Sequence, residues 1–197
     1  MRKMFGSLSV AVCLLCFAGA LEAGPIVNGS FEYPEVGTGW GTYSTILGWT
    51  ATGTELIEIG YGGLYGVTGY DADQVLELDS YGNAVVAQAV TTPGGLYDLT
   101  FLYAMRGGTA PGTNMFEVYW NSTLITSITP TSTAMSLFSA QVVAVGGDTL
   151  SFVGTGTKDT YGGIIDNVQL NAVPDGGMTL SLLGMGLAGL GWLRRRR

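Results

Sequence analysis

Between residues 96 and 105 the chain alternates. Tyr97, Leu99, Phe101, Tyr103 and Met105 fall on one face of an extended segment, and Asp98, Thr100 and Ala104 fall on the other. A period of two belongs to a strand buried on one side, because successive side chains of a strand point to opposite faces. The pattern recurs in Phe116, Val118 and Trp120, after which Asn121-Ser122 turns the chain into residues 124–128. Further strands are predicted over 26–32, 56–59, 75–79, 85–90, 137–145, 149–153 and 164–170, with Gly, Pro, Asn and Asp clusters between them. Nowhere do apolar residues hold a helical period over three turns. This pattern predicts an all-β fold, a single jelly-roll β-sandwich of nine or ten short strands.

The two ends of the chain differ from this body. Arg2 and Lys3 precede an apolar stretch at 8–18, and small residues follow at Ala18-Gly19-Ala20 and Ala23-Gly24. That is the order of a secretory signal peptide. Its helix occupies 1–23, with cleavage after Ala23 or alternatively after Ala20. At the other end Val173, Pro174, Asp175, Gly176 and Gly177 precede an apolar run at 178–193, and Arg194, Arg195, Arg196 and Arg197 close the chain. A basic terminus of this kind stays on the cytoplasmic side of a membrane. The predicted organisation is therefore a signal peptide at 1–23, a β-sandwich domain at 24–172 and a C-terminal segment at 173–197.

The apolar run makes a short transmembrane helix. Its 16 residues would span about 24 Å at 1.5 Å per residue, against a hydrocarbon core of about 30 Å. Gly184, Gly186, Gly189 and Gly191 weaken it further. Two readings stay open: a transient stop that is cut near Pro174-Asp175-Gly176, or an uncut anchor.

Composition narrows the function. The only cysteines, Cys13 and Cys16, lie in the signal, so the exported body folds without disulfides. With the ends removed, Arg106 and Lys158 stand against thirteen acidic residues, a formal charge of −11. Such a surface repels phosphate backbones, which argues against a nucleic-acid partner. The chain has no histidine, which excludes histidine-based triads and histidine metal sites. No motif selects a pair of carboxylates for glycoside hydrolysis. The body reads as not an enzyme.

Aromatic residues are the candidates for contact with a ligand, because flat rings stack on the C–H faces of sugars. Tyr61, Tyr65 and Tyr70 share a glycine-rich loop at 60–70, and Trp40 lies in a similar Gly/Thr-rich stretch. The alternative is that these rings cover the ends of the sandwich, which is the reading for Trp49 and Trp120. Asp71, Asp73, Glu77 and Asp79 form an acidic cluster, read as a solvated face with Glu77 and Asp79 pointing outward from a strand. Arg106, the one arginine of the body, is expected to pair with a carboxylate at the edge of the core.

Several motifs in order carry a family resemblance. They are Asn28-Gly29-Ser30-Phe31-Glu32, Gly48-Trp49, 76–80, Gln88, 93–101, Arg106, 118–121 and the closing Tyr161-Gly162-Gly163-Ile164-Ile165-Asp166-Asn167-Val168. Together they resemble the galactose-binding-domain-like jelly roll of the DUF642 and carbohydrate-binding-module type, over nearly all of 26–170. The C-terminal segment resembles the PEP-CTERM sorting signals, in the variant that opens Val-Pro-Asp-Ser-Gly, with Gly176 in place of the serine. The body resemblance implies a structural Ca²⁺ held by Glu32 and Asp166, brought together because the first and last strands lie side by side. The alternative is that Glu32 caps a turn and Asp166 bonds nearby amides. The tail resemblance implies a membrane processing enzyme of the exosortase type as partner. The chain thus reads as an exported surface or extracellular-matrix protein, with a non-catalytic body that binds extracellular polysaccharide or is structural. A polysaccharide-active hydrolase or lyase and a purely structural envelope protein are the alternatives.

Overall fold

The computed structural model of the protein describes residues 25–174. The predicted signal helix, the apolar run, Asp175, Gly176, Gly177 and Arg194 to Arg197 lie outside the described residues. Among the described residues no helix is long and apolar enough to cross a membrane.

Twelve strands build two six-stranded sheets in which every pairing is antiparallel. The first sheet contains β1 (Trp40–Tyr43), β4 (Ile57–Tyr61), β5 (Gln74–Glu77), β12 (Ile164–Ala172), β7 (Gly95–Ala104) and β10 (Ser136–Ala144), in that spatial order. The second runs β2 (Thr45–Ile46), β3 (Trp49–Thr52), β6 (Val85–Val90), β11 (Asp148–Gly154), β8 (Phe116–Trp120) and β9 (Thr123–Ile128). The all-β sandwich expected from the alternation is present. β6 and β8 have the predicted bounds, and β7 is displaced by one residue.

The inner faces of the sheets meet in an aromatic column. Phe31 packs on Trp49 at 5.3 Å, Trp49 on Phe152 at 5.9 Å, and Phe152 on Phe101 at 5.2 Å between ring centroids. Phe101 also stacks on Phe138 at 4.7 Å. Tyr97, Leu99 and Phe101 of β7 are all buried in this core, as their shared face required. Each such side chain contributes about 1.5–3 kcal/mol when it leaves water, and this burial holds the sandwich together without disulfides.

Three sequence expectations need correction. Residues 26–32 are not a strand. The Asn28 side-chain amide donates to the Tyr33 carbonyl at 2.7 Å, and the Tyr33 N–H donates back to Asn28 Oδ1 at 3.1 Å. Asn28 and Phe31 have φ of 53° and 55°, so the segment closes into a turn that buries the Phe31 ring. Residues 40–52 hold three strands where no strand was predicted, and Trp49 anchors this stretch to the core. Glu77 and Asp79 are wholly buried instead of solvated. They do face away from the main core, but loops cover that side of the sheet.

The opening turn docks on β12. The Val168 N–H donates to the Gly29 carbonyl at 2.9 Å, beside a bulge between Asp166 and Gln169 where Asn167 has φ 46°. A Cβ at Gly29 would lie 2.1 Å from the Val168 carbonyl oxygen, inside backbone that cannot yield. Gly29→Ala is expected to lower stability by about 2 kcal/mol or more, read as the midpoint of denaturant unfolding. An unchanged midpoint would show that the turn is not fixed against β12.

Candidate functional site

The outer face of the first sheet carries a second, smaller core. The loop after β4 folds back over it: the Val67 N–H donates to Gly62 O at 3.3 Å, Thr68 N–H to Thr133 O at 3.0 Å, and Gly107 N–H to Tyr65 O at 2.8 Å. This inserts Tyr65 and Val67 against Val75, Ala104 and Ile164. Gly60 makes the space, since a Cβ there would come within 2.5 Å of the Tyr65 hydroxyl.

Glu58 of β4 and Glu77 of β5 stand directly opposite each other on this covered face. Two carboxylates side by side under a loop repel each other and have lost water, so they need a counterion and donors. Arg106, just past the end of β7, supplies the charge. Its Nη1 lies 3.4 Å from Glu77 Oε1 and 4.0 Å from Glu58 Oε1. The guanidinium carbon sits 4.6 Å from the ring centroids of both Tyr65 and Tyr161, held between two aromatic faces. The Tyr65 hydroxyl donates to Glu58 Oε1 at 2.8 Å. The Gly162 N–H donates to Glu77 Oε1, and the Asp79 N–H donates to Glu77 Oε2 at 3.0 Å.

Burial dominates the protonation of these groups. It pushes Glu77 up to about 7, with the Glu58 charge adding, against the Asp79 N–H and Arg106, which oppose the shift. Burial raises Glu58 as well, offset by the Tyr65 hydroxyl and Arg106. The Tyr65 hydroxyl is held far above its ordinary value by burial and by Glu58, so it stays a donor.

Above this assembly opens a cleft of about 350 Å³. Its floor presents Arg106, Glu58, Ser80 and Thr160. Its rim consists of Trp40, Leu64, Tyr81 and Tyr161, exposed by 55%, 50%, 63% and 44%. Flat apolar rings around a polar floor suit a ligand with C–H faces and hydroxyl edges. Glu58 is the one carboxylate among the described residues that line it, since Glu77 is sealed beneath Arg106.

The other predicted residues are distributed unevenly. Trp40 lines this cleft. Tyr65 is packed beneath it, 2% exposed. Tyr61 and Tyr70 pair edge to face at 6.3 Å, and Tyr61 lines a second cleft of about 350 Å³ with Glu32, Glu35 and Asp73. Tyr81, Tyr161, Leu64 and Glu58 escaped sequence reasoning. The available signal was the lone body arginine, which two acids and two rings must surround.

Glu32 and Asp166 converge on one loop, 71–74. The N–H groups of Asp73 and Gln74 donate to Glu32 Oε1 at 3.1 and 2.8 Å. Those of Asp71 and Asn167 donate to Asp166 Oδ2 and Oδ1, each at 2.6 Å. Burial first, then the charges of Asp71 and Glu32, push Asp166 up to about 8 against these donors. Both carboxylates thus accept backbone N–H groups, Glu32 at the turn into β5 and Asp166 from Asp71 and Asn167. Among the described residues no group of three or more His, Cys, Asp or Glu side chains is gathered to hold a metal, so a cation here must also draw on backbone carbonyls.

Comparison with known proteins adds the tail. Residues 172–197 match the family model of the VPDSG-CTERM motif. The chain is similar to part of the multifunctional-autoprocessing repeats-in-toxin of Vibrio vulnificus, 32% identical over 163 residues that cover 76% of this chain and 3% of the relative. The Vibrio cholerae protein of the same name is 32% identical over 148 residues, 73% of this chain and 3% of that protein. The chain thus spans about 3% of the length of the curated relatives it matches. Among solved structures, the CBM35 of Paenibacillus barcinonensis has TM-score 0.44 at 22% identity, covering 68% of this chain and 98% of its own. The CBM22-1 xylan-binding domain of Paenibacillus barcinonensis Xyn10C has TM-score 0.46 at 14% identity, covering 65% and 87%.

The burial of Glu77 generates a pH prediction. Its folded value of about 7 lies above the ordinary 4.5. The folded state therefore binds more protons between these values, and stability falls as pH rises through about 5 to 7. In Glu77→Gln that loss is absent, so the variant should be more destabilised relative to wild type at pH 5 than at pH 8. The difference is about 3 kcal/mol at most, measured by denaturant unfolding at both pH values. An equal penalty at both would show that Glu77 is ionised throughout.

Proposed function

We propose that this chain is an exported, surface-displayed module that binds glycan without turning it over, through the cleft of Trp40, Tyr81, Tyr161 and Arg106. The observation that carries the reading is the exposed aromatic rim over a fixed polar floor. Large rings held in water around a concavity mark interaction sites. Arg106 is already clamped between two rings and two carboxylates, so little of its freedom remains to be lost on binding. The strand order of the two sheets is read as a jelly roll. The VPDSG-CTERM match at 172–197 supports export and sorting, with an exosortase-type enzyme as the membrane partner acting at Pro174, Asp175 and Gly176.

A structural Ca²⁺ at Glu32 and Asp166 is part of the same proposal. Asp166 is buried beside Asp71 and Glu32 with little to balance their charge, which a hard cation would relieve. The ion would tie the opening turn, loop 71–74 and the β12 bulge together, and would take no part in the cleft.

Full-length protein on a glycan array is expected to bind one or more neutral polysaccharides and to release no sugar from them. Trp40→Ala and Tyr81→Ala should each weaken that binding about tenfold, roughly 1.4 kcal/mol, with melting unchanged because both rings are exposed. Turnover of the bound glycan would establish the hydrolase or lyase reading, and silence on the array the structural one.

Calcium is expected to raise the melting temperature and chelator to lower it. Saturation to a hundredfold over Kd should add about 2.7 kcal/mol. Asp166→Ala should abolish the response. A transition that is the same with calcium and with chelator would remove the site.

A further inference from the structure

The place where the chain leaves the sandwich is apolar. Ala172 stands opposite Tyr97 in the β12–β7 ladder, and the Val173 N–H donates to the Leu96 carbonyl at 2.9 Å, so the pairing continues by one residue. Leu96 in turn stands opposite Val143 of β10. Directly paired residues share a face. Tyr97 and Val142 point into the core, so Leu96 and Val143 point out, in one row with Val173 across three strands. Val145 follows on the same side of the chain.

The exposure of this row is high: 40% for Leu96, 63% for Val143 and 76% for Val145. One step further from the exit the outer face turns polar. The next row is Asn171, Asp98 and Gln141, with the Gln141 amide donating to Asp98 Oδ1 at 3.2 Å. The row after that is Gln169, Thr100 and Ser139. Two polar rows thus separate the apolar row at the exit of the tail from the Leu102–Leu137 pair further along the outer face.

Chain length says what meets that end. From Pro174 to residue 178, where the apolar run begins, there are four residue steps, at most about 14 Å even when fully extended. Resting on the reading that residues 178–193 enter a membrane, we propose that this corner of the sandwich seats in the lipid headgroup layer, with Leu96, Val143 and Val145 inserted among the lipids. The body is then docked on the bilayer and not tethered above it. A row of aliphatic side chains at an interface gains by leaving water, while the polar rows beyond stay wet.

Labelling tests this directly. In the chain from Gly24 to Arg197, which lacks the signal and with it both cysteines, Val145→Cys and Tyr81→Cys each give a single thiol, one in the apolar corner and one at the cleft. Both are exposed in the native fold. Each carries an environment-sensitive dye in phosphatidylcholine vesicles that contain a lipid-borne quencher. The dye at 145 is expected to be quenched several-fold more strongly than the dye at 81. A chain that floats with the vesicles while both dyes are quenched alike, or neither is, overturns the docking and leaves the tail reading intact. A chain that does not float overturns both.

Discussion

The outer face of the first sheet depends on one packing event, the insertion of Tyr65 beneath the loop after β4. The ring fills the space left open by Gly60, covers Val75, Ala104 and Ile164, and offers its hydroxyl to Glu58. It is also one of the two faces that hold Arg106. Remove the ring and Glu58 and Glu77 would either reach water and ionise apart, or remain together with a guanidinium free to leave. The cost of burying two acids is offset only because one side chain supplies cover, donor and stacking surface together. The cleft above is a consequence of that arrangement, since its floor is the upper side of Arg106.

Much of the main core was legible from residues alone. Alternation in 96–105 named the buried face of β7 because an inner sheet face must be apolar at every second position, and no other constraint acts on it. The opening turn was not legible. Residues 26–32 carry strand-like composition, yet Asn28 satisfies the backbone of Tyr33 through its side chain, a competition that local pattern does not register. The same limit explains Glu77 and Asp79. They alternate outward as expected, but whether an outward residue meets water depends on loops from elsewhere: 62–70, which pairs with 133–135, and 159–162, whose N–H groups bond Asp79 and Glu77.

The candidate site follows the same rule. Trp40 could be named because an isolated tryptophan in a small-residue stretch has few structural roles. Tyr61, Tyr65 and Tyr70, equivalent by composition, take up a cleft wall, a buried plug and an edge-to-face partner. Their separation into roles is decided by which glycine leaves room for which ring. Tyr81 and Tyr161 join Trp40 from loops far apart in sequence, and only the sheet order brings those loops together.

The length of β7 has a mechanical consequence. The strand begins where Leu96 bonds the exit of the tail and ends two residues before Arg106, with β10 and β12 bonded along its two sides. Ten residue steps at about 3.4 Å each separate the two points by about 34 Å. Consider a chain held at its tail while a polymer drags on the cleft. The pull then runs along the strand axis, and the hydrogen bonds of the β12–β7 ladder share the load in shear instead of opening one after another. The resistance of the attachment is then set by the rate at which β7 slides past β12, which is a kinetic property of the fold and not its equilibrium stability.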